Sequence, residues 1–152
     1  MKRGIIVLLS LAILVLCSCG SKKEAVVLDF SNDAYGQVDT GDLKLAHGDL
    51  LSVMQNERNV VVKAKIKSNM TNQMTIDQNY YSVTDLIKNH GFNTCDELQY
   101  WAVADMTSGD ESKVISFTVD KDTIDKVYSG NILDNKLGEY VSDLWILPSL
   151  LQ

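Results

Sequence analysis

The chain has 152 residues, 20 of them acidic and 14 basic, for a net charge of −6, and only three cysteines and two histidines. An acidic balance argues against nucleic-acid binding, which needs a basic footprint, and so few histidines and cysteines argue against a zinc site. The length suits one domain with a modest core.

The chain opens MKRGIIVLLSLAILVLCSCGSKKE. Lys2 and Arg3 precede an apolar run from Gly4 to Leu16 that only Ser10 interrupts. That run falls short of the ~20 residues a helix needs to span a bilayer and has the length of a secretory h-region. Signal peptidases require a small side chain before the scissile bond; Ser18 before Cys19 meets that need, and Leu16 before Cys17 does not. The stretch Leu16-Cys17-Ser18-Cys19-Gly20-Ser21 resembles the lipobox of bacterial lipoproteins, whose cysteine takes a diacylglyceryl thioether and becomes the mature N-terminus.

The resemblance implies a signal peptide over residues 1–18, a lipidated tether over 19–24 beginning at Cys19, and one globular domain over 25–152. Two acyl chains anchor stably where one does not, so the expected location is the extracellular face of the cell membrane, held by lipid. The tether reaches at most ~18 Å when extended, which keeps the domain near the bilayer. Cleavage removes Lys2 and Arg3 and no acidic residue, taking the net charge from −6 to −8. It also leaves Cys95 as the one cysteine not consumed, so no intramolecular disulfide forms. Cys95 lies in the turn-like Asn93-Thr94-Cys95-Asp96, where an acidic neighbour does not favour a thiolate, and an inert thiol is expected.

Along the domain, residues 25–30, 43–47 and 50–54 offer three short strands. Val60, Val62, Ala64 and Ile66 alternate with Lys63, Lys65 and Lys67, the pattern of a half-buried strand. Residues 68–72 read as a turn. Thr75 to Asn89 fits either one long helix or a strand followed by a short helix. Ser82 as N-cap with Asp85 three positions on resembles a capping box, which favours a strand over 74–81 and a helix over 83–90 ended by Gly91. Leu98 to Ala104 reads as a central strand, and Ile115, Phe117 and Val119 alternate with Val114, Ser116 and Thr118 in another. Asp122 caps a second short helix that Gly130 ends, and Tyr140 to Leu147 closes as a strand before Pro148.

The run VVVKAKIKSNMTNQMTID, followed by SGDESKVISFTVDKDTI, is similar to the small Ig-like lipoproteins of unknown function common in Gram-positive bacteria. That similarity covers roughly residues 40–125 and implies a mainly β fold, an Ig-like β-sandwich with two short helices. It brings no catalytic residues. The competing α+β topology takes residues 60–147 as a ferredoxin-like βαββαβ core, and gains if residues 75–89 form one helix.

Chemistry is sparse. Asp120 to Asp125 fails the calcium-loop pattern, because Ile124 and Asp125 occupy its fifth and sixth positions; helix capping accounts for these carboxylates. No nucleophile elbow, zincin or phosphate-loop motif occurs. No cofactor or metal is expected. The aromatic residues carry the functional expectation. Strand alternation sends Tyr100 and Trp101 to opposite faces, and likewise Tyr80 and Tyr81. Tyr80, Tyr81, Tyr100, Trp101 and Trp145 are therefore the candidate binding patch, for an envelope protein or a glycan. The expected function is a non-catalytic binding or interaction module of the cell envelope. The alternatives are a small hydrolase using carboxylates among Asp105, Asp110 and Asp143, or a purely structural envelope protein.

Overall fold

A computed structural model describes residues 25–152; the leader, Cys19 and the tether lie outside the described residues. Six strands form one mixed sheet, in spatial order equal to chain order: β1 (Ala34–Gln37), β2 (Asp49–Glu57), β3 (Asn59–Lys65), β4 (Glu97–Asp105), β5 (Glu111–Asp120) and β6 (Ser142–Ile146). Every neighbouring pair is antiparallel except β3 and β4, which run parallel. A parallel pair needs a long crossover, and here it contains helix α1 (Asn72–Asn89). Helix α2 (Lys121–Tyr128) follows β5 directly.

The expected sandwich is thus corrected: all the strands share one sheet, and among the described residues there is no second sheet to face it. From β3 onward the succession is βαββαβ, as in the competing topology, and residues 75–89 do lie within one helix. The parallel strands β3 and β4 are direct neighbours, however, with no strand inserted between them.

Alternation explains which face is buried. Val60, Val62 and Ala64 of β3, Leu98, Tyr100 and Ala102 of β4, and Ile115, Phe117 and Val119 of β5 are buried on one side. Helix α1 covers that side with Ile76, Tyr80, Val83, Leu86 and Ile87, and α2 with Ile124 and Val127. Phe117 sits at the junction, its ring 5.2 Å from both Tyr80 and Tyr100. Tyr100 donates its hydroxyl to Asn79 Oδ1 at 2.9 Å, so both buried polar groups are satisfied. Burial holds the Tyr100 hydroxyl well above its ordinary pKa.

Three local expectations change. Residues 74–81 are helical: Thr71 is the N-cap of α1, its side chain accepting from Met74 N, and Ser82 is buried within the helix, bonding the backbone of His47. Asp120 rather than Asp122 caps α2, accepting from Thr123 N at 2.8 Å, and that bond lowers its pKa. Residues 25–30 and 43–47 form no strands, yet they bury Phe30, Leu43 and Leu45. The strand over 50–54 is there, as part of β2.

Candidate functional site

With the helices on one side, the opposite face of the sheet is open to solvent. Register puts Lys63, Trp101, Ser116 and Trp145 in a single row across β3, β4, β5 and β6. Trp101 is 43% exposed and Trp145 41%. The ammonium of Lys113 stands between them, 5.7 Å from the Trp101 ring centre and 5.3 Å from that of Trp145. Each contact is a cation–π interaction, in which the negative face of the indole attracts the ammonium.

Two irregularities assemble this group. Lys113 has the same parity as the buried Ile115, Phe117 and Val119, so an unbroken strand would turn it toward the core. Instead Ala102 pairs with Ile115 and Val103 with Lys113, which leaves Val114 as the extra residue of a bulge. The bulge re-aims Lys113 to the open face, beside Trp101. A second shift pairs Thr118 with Ser142 and Ser116 with Trp145, placing Asp143 and Leu144 opposite Phe117 alone. Asp143 takes a left-handed backbone there, φ 51°, a conformation that aspartate tolerates better than most residues. Without that extra residue Ser142 and Trp145 would face opposite ways.

The lysines of this face differ in their partners. Lys63 pairs with Glu111 at 2.6 Å and Lys65 with Asp105 at 2.7 Å. Among the described residues Lys113 has no carboxylate partner; its neighbours are the two rings.

Of the five aromatic residues in the expected patch, the structure brings only Trp101 and Trp145 together. Tyr100 and Tyr80 belong to the core, on the other side of the sheet. Tyr81 is 39% exposed on α1, edge-on to His47 with ring centres 6.4 Å apart. The separation of Tyr80 from Tyr81 comes from helical rotation rather than strand alternation. Sequence reasoning missed Lys113, although one signal was present: a lysine at a position whose parity is otherwise apolar marks a bulge.

A concave region lies elsewhere, under the loop before β2: a cleft of about 620 Å³ lined by residues that include Lys44, His47, Asp49, Lys67, Asn69 and Gln78. Asp49 and Lys67 engage each other across it at 3.2 Å. Ser82 pins the His47 backbone in both directions, accepting from its N–H and donating to its carbonyl.

The three aspartates of the hydrolase alternative do not converge. Asp105 pairs with Lys65 at one end of the sheet, and Asp110 sits in the β4–β5 turn beside it. Asp143 lies toward the other end of β5, roughly 20 Å away along the strand. Among the described residues no group of three or more histidines, cysteines and carboxylates is placed to hold a metal ion. Cys95 is buried with its Sγ donating to Phe92 O at 3.0 Å, and desolvation pushes its pKa up to about 12, so the thiol stays protonated. No helix among the described residues is long and apolar enough to cross a membrane.

No known protein family, curated protein or solved structure matches the chain.

Proposed function

We propose that this chain is a lipid-anchored protein of the extracellular face of the cell membrane, fixed through Cys19, that acts by binding rather than by catalysis. The leader and the stretch Leu16-Cys17-Ser18-Cys19 support the anchor. The binding surface is the open sheet face built on Trp101, Lys113 and Trp145. The observation that carries this reading is the pair of half-exposed tryptophans holding an ammonium that has no carboxylate partner among the described residues, on the face the core does not use. Two bulges serve to put these side chains on one side, and bulges recur where a strand must re-aim a residue.

Fractionation tests the anchor. The wild-type chain should partition with membranes and into the detergent phase, and Cys19→Ala should appear in the soluble fraction; a Cys19→Ala chain that stays membrane-bound overturns the lipid assignment. Fluorescence tests the surface, because Trp101 and Trp145 are the only tryptophans in the chain. Adding cell-envelope fractions should shift the emission saturably, and emission indifferent to every fraction would remove this face as the binding surface.

A further inference from the structure

We infer that the Trp101–Lys113–Trp145 face takes an anionic glycan: an extended chain of sugar rings bearing carboxylate or phosphate groups. The inference rests on the binding-module reading above and narrows it to a ligand class. Trp101 and Trp145 lie on one cross-strand row with Ser116 between them, which puts their backbones about 10 Å apart at the usual strand spacing. Alternate rings of an extended sugar chain are separated by a comparable distance. The C–H faces of a pyranose carry slight positive charge and pack on the negative face of an indole. Two such platforms at this spacing suit a chain of rings better than a single small molecule.

Charge decides which sugars. Lys63 and Lys65 are neutralised by Glu111 and Asp105, while Lys113, between the rings, has no carboxylate partner among the described residues. The two indoles hold that ammonium in place before any ligand arrives, so an incoming anion meets an ordered partner. Gln99 and Thr118 are partly exposed on the same face and supply amide and hydroxyl partners for sugar hydroxyls, whereas Ser116 is buried between the two rings.

Two competing occupants fit less well. A protein partner needs an apolar, charge-poor centre to its interface, and here an ammonium stands at the centre, between the two tryptophans. An anionic bilayer offers no row of rings for the two indole platforms, and attraction to anionic lipid draws on clustered lysines and arginines, whereas this face carries one lysine without a carboxylate partner among the described residues.

The test uses the full lipidated chain in neutral detergent micelles, read by tryptophan emission and by calorimetry. Polygalacturonate, an acidic sugar polymer, should bind saturably. Dextran of matched length should bind at least about tenfold more weakly, a difference of roughly 1.4 kcal/mol. Raising salt should weaken the acidic polymer and leave dextran unchanged. Lys113→Gln should lose about tenfold for polygalacturonate, and Lys113→Arg should retain binding. Calorimetry on W101A/W145A, with circular dichroism confirming its fold, should show binding lost. Equal affinity for the two polymers, or binding indifferent to Lys113→Gln, overturns the inference. So does a response confined to anionic phosphatidylglycerol vesicles. A shift with an envelope protein fraction and with neither polymer overturns the glycan and leaves the binding module standing; silence toward every fraction overturns both.

Discussion

Cys95 shows how burial sets chemistry at the scale of a single residue. Its thiol is enclosed and donates to Phe92 O, and removing it from water raises its pKa to about 12 from an ordinary value of 9.0. The sign of the linkage follows. Below pH 9 the thiol is protonated in both folded and unfolded chains, and its contribution to stability is fully present. Between about pH 9 and 12 the unfolded chain releases the proton and the folded chain keeps it, so stability is lost as pH rises through that window. The slope from one proton is about 1.4 kcal/mol per pH unit. Urea unfolding at pH 8, 9 and 10 should show this loss in the wild type, with a shallower slope in Cys95→Ala. The native thiol should also resist alkylation at pH 8 until denaturant is added. Identical slopes, or rapid native alkylation, would mean that the sulfur meets solvent. Gly91 carries the complementary steric lesson. Its φ is +83°, and a Cβ added there would lie 1.8 Å from the Leu28 carbonyl oxygen. The segment it touches is strapped down by Leu28 N to His90 O at 2.9 Å and by Phe30 N to Thr94 Oγ1 at 2.8 Å. Gly91→Ala should therefore cost about 3 kcal/mol or more and expose residues 25–30 to proteases. Gly130→Ala, with a similar φ of +79° and open space around it, should cost only about 1 kcal/mol. Equal costs in thermal unfolding would refute the strap.

Helix α1 decides the topology at the scale of an element, and its start is defined by one side chain. The Thr71 hydroxyl accepts from Met74 N at 3.1 Å. Thr71→Ala removes that acceptor and should lower stability by about 1 kcal/mol, whereas Ser82→Ala should leave the helix start unchanged, since Ser82 serves the His47 backbone. A loss of first-turn amide protection confined to Thr71→Ala would confirm this assignment, and the reverse pattern would overturn it. The same helix shows what the sequence concealed. Its inward stripe includes Thr75, Ile76, Asn79, Tyr80, Val83 and Ile87, a helical spacing in which two members are polar. Asn79 donates to Thr75 O and accepts from Tyr100, and Thr75 donates to Thr71 O, so both are satisfied within the core. Hydrophobic periodicity cannot count such residues as inward, and the Ser82–Asp85 spacing resembles a helix start. The strands were legible because Val62, Ala64 and Ile66 alternate with Lys63, Lys65 and Lys67, and Ile115, Phe117 and Val119 alternate with Ser116 and Thr118. Their arrangement was not. Apolar-in, polar-out alternation is equally compatible with a sandwich and with one sheet covered by helices, and nothing in residues 59–65 marks a parallel partner. Trp101 could be read as outward from alternation alone, whereas Lys113 depended on a bulge that alternation does not encode.

On the proposed reading, the two faces of the sheet divide the work of the whole molecule. One face and both helices form the core, with Phe30, Phe92, Tyr100 and Phe117 essentially inaccessible. The other carries Trp101, Lys113 and Trp145 and depends on the core only for its geometry. Stability and recognition should therefore respond to different substitutions. W101A/W145A truncates large side chains, but each is already more than two-fifths exposed. The loss of packing should stay under about 2 kcal/mol for the pair, well short of the transfer free energy of two fully buried large side chains. Phe117→Ala removes a ring in contact with both Tyr80 and Tyr100 and should cost about 3–5 kcal/mol, as cavities left by aromatic residues do. Paired denaturant curves and binding isotherms decide the matter. The division holds if W101A/W145A unfolds cooperatively near the wild-type midpoint while losing its ligand, and if Phe117→Ala unfolds early yet binds normally where it is still folded. A double-tryptophan variant that collapses as far as Phe117→Ala would place the tryptophans in the core's own accounting, and the open face would then be structure rather than site.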